Sequence, residues 1–108
     1  MTHLEKALKE ARAMVASGWH EPFSLGTDGK LCTAHDEMIA RYCTHDALHL
    51  AAVSIADPLW MEQLLCKLLG LGEWGFPEFA AWLEAPERKQ ADVLHLFDRA
   101  ILRAKAVA

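Results

Sequence analysis

The residues of this chain that could carry out chemistry are histidines and cysteines in the first half of the sequence. His45 and His49 are four positions apart, which places their side chains one turn apart on the same face of a helix. Two histidines in this arrangement are typical of helical zinc sites. The pair therefore suggests zinc as an alternative to the main expectation, which is that the protein binds no cofactor.

Further ligands for such a zinc ion are harder to find in the sequence. Cys43 is two positions before His45, a rotation of about 200° on a helix, so it faces the opposite side. The missing ligands would have to come from His35, Asp36 or a partner chain. Without them, His45 and His49 form an exposed pair on a polar helix face.

A cysteine nucleophile is the second possibility for chemistry. A reactive thiol needs a base within hydrogen-bond reach, and Cys32 with His35 is the most plausible such pair, with Cys43 as the other candidate thiol. Nothing in the sequence marks an oxyanion donor or a third orienting residue. We therefore lean against an enzyme, and keep a zinc-binding or thiol-dependent enzyme as the alternative function.

Composition bounds the class of protein. The 108 residues predict a single domain, 1–108, and 53% of them are apolar, which excludes general disorder. The net charge of −4 argues against nucleic-acid binding, and no apolar run is long enough to cross a membrane. No signal peptide is recognisable, and three well-separated cysteines suggest reduced thiols. We expect a small acidic cytoplasmic protein.

The first part of the chain predicts a helix followed by an irregular arm. Residues 2–17 have the apolar spacing of an amphipathic helix, with Thr2 and Glu5 as a capping box. Gly18 is expected to stop this helix in the left-handed conformation. In the arm that follows, Asp28-Gly29 is typical of a tight turn. It predicts a short hairpin, Phe23-Leu25 against Lys30-Cys32.

The rest of the chain predicts helices. A central helix is expected from Asp36 or Glu37 to Ile55, and the other elements of the chain are expected to pack around it. Asp57-Pro58 then introduces a helix over residues 59–69, which Gly70-Leu71-Gly72 is expected to end. Pro77 opens a short helix, and the last helix covers residues 90–104. The predicted fold class is all-α, with four or five helices in one small domain and a short irregular or hairpin arm after the first helix.

The apolar surface of the second half favours a protein-interaction function. The helix over 59–69 is nearly apolar on all sides, so a partner or the rest of the protein must cover it. Four aromatic residues follow within nine positions, and they either close the core or anchor an interface. We predict a non-catalytic module that binds a protein partner or itself through Trp60, Leu64, Trp74, Phe76 and Phe79. A weaker hypothesis, based on size and charge alone, is a phage- or host-encoded inhibitor.

Four short motifs resemble a family of short, uncharacterised bacterial proteins that is catalogued as a domain of unknown function. They are Gly18-Trp19, Asp28-Gly29, Tyr42-Cys43 followed by Ala47-Leu48, and a tail from Trp82 through Ala85-Pro86 and Arg88 to Asp92-Val93-Leu94. In that family, a helix ending in Gly-Trp precedes a polar arm and an aromatic-Cys helix start. The resemblance implies a mostly helical single domain and no particular activity.

The chain departs from the family pattern at three places. His45-Asp46 stand where the family has an apolar residue and glycine, Leu83-Glu84 where it has Asn-Asp, and Lys89 where it has Thr. The first departure implies that His45 is peculiar to this protein and does not belong to an inherited site.

Overall fold

The computed structural model describes residues 2–32, 38–53 and 56–106 of the chain. These ranges contain five helices, α1 (His3–Ser17), α2 (Thr44–Ala52), α3 (Pro58–Leu68), α4 (Phe76–Glu84) and α5 (Gln90–Ala106). They also contain three short strands, β1 (Ser24–Gly26), β2 (Leu31–Cys32) and β3 (Ile39–Arg41). The fold is mostly helical, as predicted, but the sheet makes the all-α class too narrow.

Helix α1 begins at the predicted cap and ends before Gly18, but Gly18 has extended backbone, with φ 170° and ψ 133°, and not the predicted left-handed conformation. The Thr2 hydroxyl accepts a hydrogen bond of 3.1 Å from the Glu5 backbone N–H, which caps the first turn. At the other end, a Cβ on Gly18 would overlap the carbonyl oxygen of Ala40 in β3. Glycine is therefore required here because the end of α1 lies directly against the third strand.

The sheet is antiparallel, with the strand order β2-β1-β3. The predicted hairpin is confirmed, since Ser24 pairs with Cys32 and Leu25 with Leu31. Its turn is stabilised by the Asp28 carboxylate, which accepts a 3.0 Å hydrogen bond from the Lys30 N–H. The sequence did not predict the third strand, β3. It pairs with the other edge of β1, and the register shifts at a bulge between Leu25 and Gly26.

The predicted central helix is shorter than expected. Helix α2 begins at Thr44, because residues 39–41 are extended and pair with β1. Residues 33–37 and 54–55, where the predicted ends fall, lie outside the described residues. The position at the centre belongs to α1, which packs against both α2 and α5. The prediction that the chain is organised around the segment 39–55 is therefore wrong.

One hydrophobic cluster joins all five helices. Helix α2 contributes small side chains, including Ala47 and Ala51, which allow a close approach to α1. The largest fully buried side chains come from the other helices as well as α2, namely Leu8, Leu48, Met61, Leu65, Phe79, Leu96 and Phe97. Polar contacts also link α1 to α5, since Arg12 binds Asp98 at 2.6 Å and the Gln90 side-chain amide donates to the Val15 carbonyl.

Helix α3 follows the predicted start and stop signals. The Asp57 carboxylate accepts from the Leu59 N–H at 2.9 Å, and Pro58 occupies the first turn. At its end, Gly70 has a φ of 77°, and the Leu71 N–H donates to the Cys66 carbonyl at 3.0 Å. No helix in the described ranges is long and apolar enough to span a membrane.

Candidate functional site

The two predicted histidines lie together on α2, and the described residues place no third ligand near them. His45 and His49 are exposed on α2, and their ring centroids are 4.2 Å apart. Among residues 2–32, 38–53 and 56–106, no group of three or more His, Cys, Asp or Glu side chains is placed to hold a metal ion. His35 and Asp36, the proposed additional ligands, lie outside the described residues. In the described part of the chain, the pair is thus two neighbouring surface imidazoles whose rings are tilted by 39°.

Two of the three cysteines, Cys43 and Cys66, are in environments that disfavour the thiolate. Cys43 is buried at the start of α2, where its sulfur accepts from the Asp46 N–H at 3.4 Å. Burial, reinforced by the nearby Asp46 and Glu21 charges, raises the pKa of Cys43 to about 11, and burial likewise raises the pKa of Cys66 to about 11. Both thiols are therefore protonated at neutral pH and are weak nucleophiles. Cys32 is also buried, and its proposed base His35 lies outside the described residues.

A polar network joins the arm to the start of α2. One oxygen of Glu21 accepts hydrogen bonds from the Trp19 indole at 2.8 Å, the Thr44 N–H at 2.9 Å and the Thr44 hydroxyl at 2.6 Å. Beside it, the fully buried Ser24 hydroxyl accepts from the Cys43 N–H at 2.9 Å and donates to Asp46 at 2.6 Å. The network satisfies the N–H groups that the first turn of a helix leaves unpaired, so its role is to hold the arm on α2.

Sequence reasoning missed Glu21 and Ser24 as members of this network. Their partners on α2 are 22 or 23 positions away, so no local spacing reports the contact. Burial raises the pKa of Glu21, against the hydrogen bonds from Thr44 and Trp19, which lower it. Glu21 also lines a small cleft with His45, Glu62 and Glu84, but its bonding oxygen is already fully used by the protein.

Exposed apolar side chains also lie where α3 meets α1 and α5. Three depressions lie there, and the middle one shares lining residues with each of the other two, so we treat them together as the α3–α5 groove. Its lining residues are His3, Leu4, Ala56, Asp57, Trp60, Gln63, Leu64, Lys67, Leu68, Glu73, Arg99, Leu102, Arg103, Ala104 and Ala106. Trp60 is 67% exposed and Leu102 is 69% exposed. Large apolar side chains exposed together in a groove are typical of a binding surface.

The predicted partner-binding residues separate into surface and core. Trp60 and Leu64 line the α3–α5 groove, and the half-buried Leu64 forms part of its floor. Trp74 is 70% exposed and makes an edge-to-face contact with the half-buried Phe76, with centroids 6.0 Å apart. Phe79 is only 1% exposed and stacks on Trp82, another residue of α4, so it belongs to the core and not to the exposed surface on which it was predicted.

Other members of the groove were not identified from the sequence. Leu4, Arg99, Leu102 and Arg103 belong to α1 and α5, which the periodicity describes only as separate amphipathic helices. Leu102 stands outside the buried stripe of α5, and this could have been noticed as an apolar residue on a polar face. Leu102 and Leu68 line the same depression, but their proximity depends on how α5 packs against α3 and so cannot be read from the sequence.

Comparison with known proteins gives one family match. The sequence model of a family of unknown function, DUF6197, matches residues 1–103. The chain belongs to the DUF6197 family. No curated protein and no solved structure is significantly similar to it. The predicted membership in a family of unknown function is therefore confirmed, and the family itself assigns no activity.

Several motif residues of this DUF6197 member have structural roles in the fold. Gly18 permits the contact between α1 and β3, and Asp28 stabilises the hairpin turn. In the tail, the Arg88 guanidinium lies 3.8 Å from the centroid of the Trp82 ring and donates to the Trp82 carbonyl at 2.8 Å. These contacts fix the segment between α4 and α5, and they explain the residues without any catalytic role.

Proposed function

We propose that this DUF6197 chain is a small non-catalytic protein-interaction module that binds another protein, or a second copy of itself, through the α3–α5 groove. Trp74 and Phe76 would extend the contact beyond Glu73, which lines the same groove. The observation that carries the proposal is Trp60, whose side chain is 67% exposed while it lines two of the three depressions. Tryptophan is among the residues that contribute most to binding at protein interfaces.

The enzyme alternative has less support from the geometry. His45 and His49 have no third ligand among the described residues, and Cys43 and Cys66 are protonated at neutral pH. We propose a cytoplasmic location because Cys43 and Cys66 are buried thiols that form no disulfide. The net charge of −4 supports a protein as the partner over nucleic acid.

The test compares two baits in cells of the source organism. The wild-type chain and the Trp60→Ser variant would be cross-linked in place, and the captured proteins quantified. Since an interfacial tryptophan commonly contributes about 2 kcal/mol or more, we expect the true partner to fall by more than tenfold on Trp60→Ser. If a protein captured by the wild type but not by Trp60→Ser is an enzyme, that result would favour the inhibitor hypothesis.

The matched control is Leu31→Ser. Leu31 is 63% exposed on β2 and does not line the α3–α5 groove, so this variant should keep the partner. Circular dichroism must show that both variants are folded. Capture of the same proteins, including a second copy of the chain, in equal amounts by wild type and Trp60→Ser would sink the proposal.

A further inference from the structure

The α3–α5 groove extends along α3 over the length of a short helix. Its three depressions follow α3 from Asp57 to Leu68, and neighbours share Trp60 or Arg103. This stretch of α3 is about 17 Å long at 1.5 Å per residue, the length of about three helical turns. The central depression has a volume of about 380 Å³, which is ample for a large apolar side chain. Side chains at i, i+3 or i+4, and i+7 of a bound helix would enter such a row of depressions.

The charge around the groove opposes the charge of the whole chain. Lys67 is neutralised by Glu73, with 2.8 Å between its ammonium nitrogen and the carboxylate. Arg99 donates to the Leu68 carbonyl, a bond that leaves its positive charge uncompensated. Neither Arg99 nor Arg103 takes part in the ion pairs formed within the described ranges. Asp57 contributes one negative charge to the groove, against the two positive charges of Arg99 and Arg103. The groove is therefore locally positive in a chain of net charge −4.

We infer that the occupant of the α3–α5 groove is an amphipathic helix of a protein partner, with carboxylates along one edge of its apolar stripe. This inference rests on the proposed function and names the chemistry of the partner. The apolar stripe would cover Trp60, Leu64 and Leu68, while Asp or Glu side chains would meet Arg99 and Arg103. A second copy is a poorer fit, because a two-fold interface sets each patch against itself and brings like charges together.

The test is a selection from a library of helical peptides displayed on phage. Each peptide would be a 16-residue alanine-based helix with leucines fixed at the apolar positions and with Glu, Lys, Gln or Ser randomised at the flanking positions. With the wild-type chain as target, we expect enrichment of Glu on one edge. The best Glu-rich peptide should bind about fivefold to tenfold more tightly than its Gln counterpart, the effect of a few exposed ion pairs. The advantage should shrink as salt is added.

Two charge variants serve as matched targets. Arg99→Glu/Arg103→Glu should lose the preference for Glu or select Lys instead, while still binding through its apolar floor. Arg103→Glu alone is the second variant, since Arg99 also holds the Leu68 carbonyl and its loss could affect the end of α3. Arg103→Glu should lose part of the Glu preference with no change in melting temperature.

The outcomes separate this inference from the proposed function. Peptides that depend on Trp60 but show no preference for Glu would overturn the inference and leave the proposed function standing. Selected peptides that bind equally well to Trp60→Ser, or a selection that yields no binder, would also overturn the inference, and the capture experiment would still decide the proposed function. A dimer that dissociates on Trp60→Ser would show that the groove holds a second copy instead of an acidic helix.

Discussion

At the residue scale, Glu21 shows how burial and hydrogen bonding compete on one carboxylate. Three donors converge on one of its oxygens, and each hydrogen bond favours the ionised form. Burial disfavours that form more strongly, and the charge of Glu84 acts in the same direction, so the pKa of Glu21 is raised above its ordinary value of 4.5. The ionised carboxylate therefore lowers the stability of the fold.

This balance predicts a particular pH dependence. Between the ordinary pKa of 4.5 and the raised value, the folded state binds more protons at Glu21 than the unfolded state, so the contribution of Glu21 to stability falls as the pH rises. Glu21→Gln keeps an oxygen acceptor for Trp19 and Thr44 but cannot ionise. We expect the free energy of unfolding of Glu21→Gln, relative to wild type, to increase from pH 4 upwards through this window. Urea unfolding at a series of pH values measures it.

The control for this measurement is Glu87→Gln, since Glu87 is exposed on the turn before α5. Its stability difference from wild type should change little over the same pH range. A Glu21→Gln difference that is constant with pH, or that decreases as the pH rises, would contradict the assignment.

At the element scale, the structure depends on how closely the end of α1 approaches β3. The Gly18 carbonyl accepts a 2.8 Å hydrogen bond from the Tyr42 N–H, and the His20 N–H donates to the Tyr42 carbonyl at 3.1 Å. These bonds require the two backbones to be in contact, and a side chain at Gly18 would fill that contact. The arm, the third strand and the start of α2 are therefore positioned together.

Gly18→Ala should separate these elements. A methyl group forced against the Ala40 carbonyl should lower the free energy of unfolding by about 1–3 kcal/mol, the usual effect of overpacking. Hydrogen exchange at the Tyr42 and His20 amides should also become faster, because their bonds to residues 18 and 42 lengthen. Chemical denaturation and amide exchange followed by NMR measure the two effects.

Gly29→Ala is the comparison variant. Gly29 has a φ of 77° and open space where a Cβ would stand, so alanine there costs only backbone strain of about 1 kcal/mol. The exchange of the Tyr42 amide should be unaffected. Equal exchange rates for wild type and Gly18→Ala would show that the contact between α1 and β3 tolerates a side chain.

At the scale of the whole molecule, charge leads us to predict a monomer in the absence of a partner. The net charge of −4 and the positive α3–α5 groove both disfavour contact between identical surfaces. We expect small-angle scattering and sedimentation to give the mass of one chain, 12.1 kDa, up to about 100 μM. A doubled mass that persists in high salt would contradict this prediction.

The sequence alone determined the elements whose signals are local. The caps at Thr2 and Asp57, the hairpin turn at Asp28-Gly29 and the helix stop at Gly70 are each formed by residues within a few positions of one another. These features were predicted correctly because their stabilising contacts do not depend on the rest of the chain. The resemblance to a family of unknown function was carried by short motifs of the same kind, and the family match confirms it.

The tertiary structure decided what depends on distant residues. Residues 39–41 have an apolar pattern that suits a helix, but pairing with β1, about 15 positions earlier, makes them a strand. Phe79 and Trp74 belong to one aromatic stretch, yet packing buries the first and leaves the second exposed. The α3–α5 groove unites Leu4, Trp60 and Arg103 from three helices. No spacing in the sequence encodes that surface, because it exists only once α1, α3 and α5 have packed together.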